Sequence, residues 1–268
     1  MGVRLILFSP RNFSIRLYDG LKGEGVDVSA LAGYLLATFG LDVSMKDDFW
    51  SSHLDRKESL ALELANIRVL SSTENELNDD PLEAEIDFEK RRLERPSIKS
   101  GGIFYDATRL MSLYWEMIPK EGRKSNVCHL ILTRELFGTW DKDDLRWHAR
   151  TLMLGYPCLV STSGIVEAPA KPPEFYQMMN AGEDIASLKE KMGGLFIDYG
   201  DKRMTEVLKG YCAQAVFYAM TRQAFCDDPG CRLFNAHWQV EMIYAQIGGP
   251  YEFCEKHAGM IRKLKAGA

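Results

Sequence analysis

Three thiols and one imidazole toward the carboxyl end are the side chains best suited to chemistry: Cys226, Cys231, Cys254 and His257. Thiolate and neutral imidazole are preferred zinc donors, and a structural zinc site is closed by four of them in a tetrahedron. They fall in two short clusters, Cys226-Asp-Asp-Pro-Gly-Cys231 and Cys254-Glu-Lys-His257, so two chelating pairs on separate elements can meet at one ion. The Asp227-Asp228-Pro229-Gly230 insert has strong turn chemistry, which folds the chain back and aims both sulfurs at one point. The tighter Cys-x-x-His spacing fits one turn at a helix start. The cofactor expected from these residues is one structural Zn2+. Two other readings use the same side chains: free cysteines buried as small hydrophobes, and a disulfide between Cys226 and Cys231.

The element that must position the first pair is a long apolar helical segment from Met204 to about Phe225, ending at the first cysteine. Val207, Leu208, Tyr211, Cys212, Ala215, Val216, Ala219 and Met220 make it apolar on much of its circumference. Such a helix is held chiefly by burial, at roughly 25 cal/mol per Å². A second amphipathic run carries the chain to Cys254, and an ion between the clusters would tie the long helix to the C-terminal one.

This spacing resembles the tail of the archaemetzincins, a metzincin family of zinc metallopeptidases with a paired-cysteine structural zinc site directly after the catalytic motif. Here His257 stands where that family has its last cysteine, and the interval from Cys231 to Cys254 is slightly longer. The resemblance places the family's His-Glu-x-x-His-x-x-Gly-x-x-His on Ala215 to Phe225. The three metal-binding histidines become Ala215, Ala219 and Phe225, the general-base glutamate becomes Val216, and the turn glycine becomes Arg222. The methionine two residues past the second cysteine is Leu233. A catalytic zinc needs imidazoles at i and i+4 on one helix face, a third ligand and a carboxylate to take the water's proton. Methyl groups and a valine supply neither, and no histidine lies between His148 and His237 to rescue a shifted register. The resemblance therefore implies a metallopeptidase-like fold, with a structural metal kept, a catalytic one lost, and no catalytic residues. It spans Cys128 to the C-terminus.

Composition bounds the alternatives. A chain of 268 residues with 46% apolar content can bury a large core as one domain or two tightly joined ones. A net charge of -5 without a basic run argues against a nucleic-acid surface. Nothing approaches the continuous apolar length of a membrane span. Without a basic leader or cleavage site, six cysteines fit a reducing cytoplasm, where clustered cysteines more often bind metal than pair. Cys128, Cys158 and Cys212 lie in apolar runs and read as core.

Read in order, Val3–Phe8 is a buried strand, Asp27 opens a helix that Gly40 stops, Leu41–Met45 is a second strand and Asp55–Leu70 a second helix. Residues 71–100 read as an exposed acidic loop followed by a charged, solvated helix face over Glu89–Arg95. An aromatic helix over Asp106–Ile118, a strand at His129–Thr133 and strand segments at Arg150–Leu154 and Cys158–Thr162 follow. The expected fold class is α/β (α+β): a mixed sheet packed by helices, a metzincin-like core and a C-terminal helical zinc subdomain. The expected seam divides an N-terminal α/β portion, 1–100, from a zinc-bearing portion, 101–268, with one continuous domain as the alternative.

Other polar residues have ordinary roles available. His148 lies beside three carboxylates and reads as a surface or packed histidine rather than a base. Ser161-Thr-Ser-Gly164 with Glu167 is a small-residue loop at a strand end without the frame of a nucleophile elbow. Asp198 to Asp201 reads as the cap of the long helix, and His237 with Glu241 as a surface hydrogen bond at helical spacing. Two functions follow. One is a non-catalytic, zinc-stabilised relative of metallopeptidases that binds a peptide or protein. The other is a divergent hydrolase drawing ligands from His148, His237, Asp198 or Glu167.

Overall fold

The computed structural model describes residues 13–96, 98 and 102–266. Its central sheet is built on β1 (Ser14–Asp19), where Ile15 and Leu17 are fully buried and alternate with more exposed neighbours. No strand is expected there from the sequence; the strand expected over Val3–Phe8 lies outside the described residues. β2 (Asp42–Lys46), β4 (Val127–Thr133), β7 (Leu152–Met153) and β8 (Cys158–Ser161) complete the sheet in the order β2-β1-β4-β8-β7. The first four are parallel, and β7 alone runs antiparallel, against β8. Strands from both sides of residue 100 thus share one sheet. β4 is buried at all seven positions, as a parallel strand covered on both faces must be. His129 is tolerated in it because Tyr18 Oη lies 3.0 Å from Nδ1 and the Gly122 carbonyl 2.9 Å from Nε2.

The period of two along β4 and β8 feeds two cores. Leu130, Leu132, Cys158 and Val160 face α1 (Val28–Phe39), α8 (Met204–Thr221) and α10 (Glu255–Ala266); Ile131 and Leu159 face α2 (Lys57–Asn66) and α4 (Ala107–Met117). α1 begins at Asp27, whose carboxylate accepts the Ala30 N–H at 2.9 Å, and ends at Gly40 in the left-handed region (φ 70°), as its sequence predicts. A smaller sheet, β3 (Phe104–Asp106), β5 (Leu136–Asp141) and β6 (Arg146–Arg150), carries the chain back toward β7. Mixed sheets packed by helices are the fold class expected.

Residues 71–80 form the expected, largely exposed loop, but the segment after it corrects the expectation of a wholly solvated helix face. That segment contains α3 (Glu83–Glu94), which packs on α2 and buries Glu89 and Leu93. Glu89 accepts from Arg68 Nε (2.9 Å), Arg92 Nη1 (2.9 Å) and Tyr105 Oη (2.6 Å), and Arg92 grips Glu135 with both carboxylate oxygens at 2.6 Å. Within the run that reads as a wet face, Glu89 and Arg92 belong to a buried ion-pair network, while Arg91, Glu94 and Arg95 are exposed. Ser161 also differs from its expected place in a loop. Its hydroxyl accepts the Gly164 N–H at 2.8 Å and caps the short α5 (Thr162–Glu167). α6 (Pro173–Asn180) and α7 (Ile185–Met192) enclose a small satellite core around Phe175 and Leu188. Among the described residues no helix is long and apolar enough to cross a membrane.

Candidate metal centre and adjoining cleft

α8 brings the chain to the cysteines. Its middle is as buried as its composition demands: Ala215 and Val216 are 0% exposed and Ala219 3%. Arg203 rather than Asp198 or Asp201 precedes its first turn, with no side-chain cap; Asp201 instead accepts from the backbone and side chain of Arg203. The helix stops at Arg222, which adopts the left-handed conformation (φ 62°) at its C-cap. This is the position where the resemblance places the turn glycine. Phe225, at the third ligand position, is exposed.

Beyond that turn, Cys226 N–H donates to Leu233 O at 2.8 Å and Cys231 N–H to Asp228 O at 3.0 Å, closing the loop around Asp228-Pro229-Gly230. Asp228 anchors the loop by accepting from Gly230 N–H (2.9 Å) and Tyr251 Oη (2.6 Å). A Cβ at Gly230 would lie 3.2 Å from the Pro250 and Tyr251 side chains, so a larger residue there would make them shift. α9 (Gln239–Ile243), extended by a π-helical turn over Tyr244–Gly248, then leads to Cys254. Cys254 O accepts the Ala258 N–H at 2.8 Å, so this cysteine stands at the N-cap of α10 with His257 in the first turn. His257 Nδ1 consequently lies 3.1 Å from Cys254 Sγ.

The ligand atoms of Cys226, Cys231, Cys254 and His257 all lie within 4.8 Å of one another. The sulfurs of Cys226 and Cys254 are 3.8 Å apart, as are Cys231 Sγ and His257 Nδ1. With zinc–sulfur bonds of about 2.3 Å, a tetrahedron has edges of about 3.8 Å, so the residues fit that ion. All six cysteines are free thiols. Backbone N–H groups point at the sulfurs: Asp228 at Cys226, and Leu233 and Cys254 at Cys231. Without an ion, burial pushes the Cys231 thiol up to about 12 and raises the Cys226 thiol, while burial lowers the His257 imidazole. His257 Nε2 is buried with no hydrogen-bond partner, and its ring meets Phe217 edge-on at 5.4 Å. Among the described residues this is the only cluster of three or more His, Cys, Asp or Glu side chains arranged to hold a metal.

Beside the centre, a cleft of about 260 Å³ opens between the β6–β7 segment, α8 and residues 234–237. His148 and His237 both line it, with Arg150, Tyr211, Gln214 and Phe225. The other residues considered as alternative ligands lie elsewhere: Asp198 pairs with Lys189 at 2.6 Å, and Glu167 accepts from Tyr199 Oη at 3.2 Å. Glu241 does not bond the His237 ring; its carboxylate caps the backbone N–H groups of His237 (2.9 Å) and Trp238 (3.1 Å). Gln214 and Arg150 escape sequence reasoning, since a glutamine on an apolar helix and an arginine at a strand end carry no local signal.

A family model described as "Probable metallopeptidase family (DUF6775)" matches residues 11–264. Among solved structures, a zinc-dependent peptidase from Methanocorpusculum labreanum (strain Z) is similar over 94% of this chain and 100% of its own, at 15% sequence identity and a TM-score of 0.44. No curated protein matches.

Proposed function

The chain belongs to this probable metallopeptidase family, and on that premise we propose that it is a non-catalytic member, stabilised by one structural zinc and binding a peptide or protein partner in its cleft. The burial of Ala215, Val216 and Ala219 where the archaemetzincin resemblance expects ligands and base carries the reading. A methyl group cannot coordinate, and a valine cannot take a proton from water. Cys226, Cys231, Cys254 and His257 would hold the ion. It would supply cross-linking of α8 to α10, because four protein donors leave no open position for substrate.

His148 and His237 lining one cleft favours a second reading, a divergent metallopeptidase. No Asp, Glu or Cys joins them in that lining. Metal analysis and peptide hydrolysis separate the two. The first expects one zinc per chain, lost in Cys226→Ser or Cys254→Ser, and no hydrolysis of a peptide library. Two metals per chain, with chelator-sensitive hydrolysis abolished by His148→Ala or His237→Ala, would overturn it.

A further inference from the structure

The four donors of the metal centre are not equally reachable. Cys231 and His257 are buried, whereas Cys226 and Cys254 are half-buried, with Cys254 the more open of the two. The sulfurs of Cys226 and Cys254 lie 3.8 Å apart. Neither residue lies inside a helix, since α8 ends at Thr221 and α10 begins at Glu255. The two sulfurs can therefore close on each other while both helices stay wound.

Their chemistry differs as well. A cysteine binds a metal as thiolate, which is also the nucleophilic form. Hydrogen bonds to a thiolate stabilise it and blunt its attack. Cys231 Sγ takes backbone N–H bonds from Leu233 and Cys254, and Cys226 Sγ takes one from Asp228 at 3.4 Å. Among the described residues no backbone N–H reaches Cys254 Sγ, whose neighbours are Cys226 Sγ and His257 Nδ1. An accessible thiolate with a second cysteine at its side is the arrangement that oxidants select. The other three thiols, Cys128, Cys158 and Cys212, are buried.

We infer that Cys254 and Cys226 form an oxidation site, at which hydrogen peroxide joins them as a disulfide and expels the structural zinc. Cys254 Sγ attacks one peroxide oxygen, the O–O bond breaks, and the departing hydroxide takes a proton from solvent to become water. Cys226 Sγ then attacks the sulfur of the resulting sulfenic acid. The S–O bond breaks, and a second hydroxide takes a proton and leaves as water. The two thiolates lose two electrons in total, and the peroxide gains them. Cys231 and His257 remain, two donors where a structural zinc needs four, so the ion departs. A covalent link then replaces the metal link between the end of α8 and the start of α10. A disulfide between Cys226 and Cys231, one reading of the sequence, would leave α10 untied. The inference rests on the structural-zinc reading and adds a means of controlling that ion.

The test adds hydrogen peroxide to the zinc-loaded full chain, follows free zinc with a chromogenic chelator, and maps the peptides without reduction. About one zinc should be freed per peroxide consumed, with a link between Cys226 and Cys254 and with Cys128, Cys158 and Cys212 still reduced. Dithiothreitol and added zinc should restore the bound metal. The oxidised, metal-free chain should melt about 6 °C above the reduced chain stripped by chelator, because the link spans 28 residues of a 268-residue chain. A reduced chain that binds no zinc overturns both the inference and the structural-zinc reading. Zinc that is bound yet survives excess peroxide, or a link between Cys226 and Cys231 instead, overturns the inference alone. So does an oxidised chain that melts no higher than the stripped one.

Discussion

Removing the ion is the perturbation whose size the structure lets one work out. The four donors join the end of α8 to the first turn of α10, and α10 packs on α1, where Lys265 Nζ donates to Ala37 O at 2.7 Å. An ion that binds only the folded state at about 1,000-fold above its Kd contributes about 4 kcal/mol. With an unfolding entropy of about 2.1 cal/mol/K per residue, the 268-residue chain loses about 0.56 kcal/mol/K, and a strong chelator should lower Tm by about 7 °C. Charge does not enlarge that loss. Burial pushes the emptied Cys231 thiol up to about 12 and raises Cys226, so both stay neutral near pH 7. Calorimetry with and without chelator checks the figure, with Cys231→Ser as the control that should already melt low and ignore the chelator. If the chelator strips zinc from the wild type and Tm moves by less than about 1 °C, the proposed tether carries no stability.

Three further outcomes follow from other parts of the fold. Glu89→Ala should destabilise by about 3–5 kcal/mol in urea unfolding, because Arg68 and Arg92 lose a fully buried partner. Burial raises the Asp48 carboxyl above its usual 3.8, so the folded state binds that proton more tightly than the unfolded state. This group's contribution to stability must fall as pH rises from about 3.8 through the raised value, and Asp48→Asn should remove that component from a stability–pH curve. Gly210→Ala should cost about 1–3 kcal/mol by chemical denaturation. The added methyl strikes the Gln246 amide and breaks its 3.1 Å bond to Arg232 O.

What could be read from the sequence was whatever had a local signal. α1 is legible because Asp27 and Gly40 bracket an apolar period, and β4 because its apolar run has no other home. The meeting of Cys226, Cys231, Cys254 and His257 is legible for a different reason: turn chemistry and helix-start spacing act within six residues. The burial on α3 was not legible, since Arg68 and Tyr105 reach Glu89 from elsewhere in the chain, and pairing across the fold leaves no trace in a window of charges. β1 is short and alternates only twice, so its assignment depends on β2 and β4, which lie far along the chain. The cleft was illegible as a whole. It draws on β6, α8 and the segment before α9, which meet only in the fold.

The contact between Ala37 and Lys265 spans 228 residues, and this ordering has a consequence for biosynthesis. During translation, Leu31, Leu35 and Phe39 emerge well before the surfaces on α8 and α10 that cover them. Non-local closure of this kind slows folding and leaves a greasy face open on the nascent chain. Capture of an ion by Cys254 and His257 would then act as a latch, sealing α1 only once α10 has arrived.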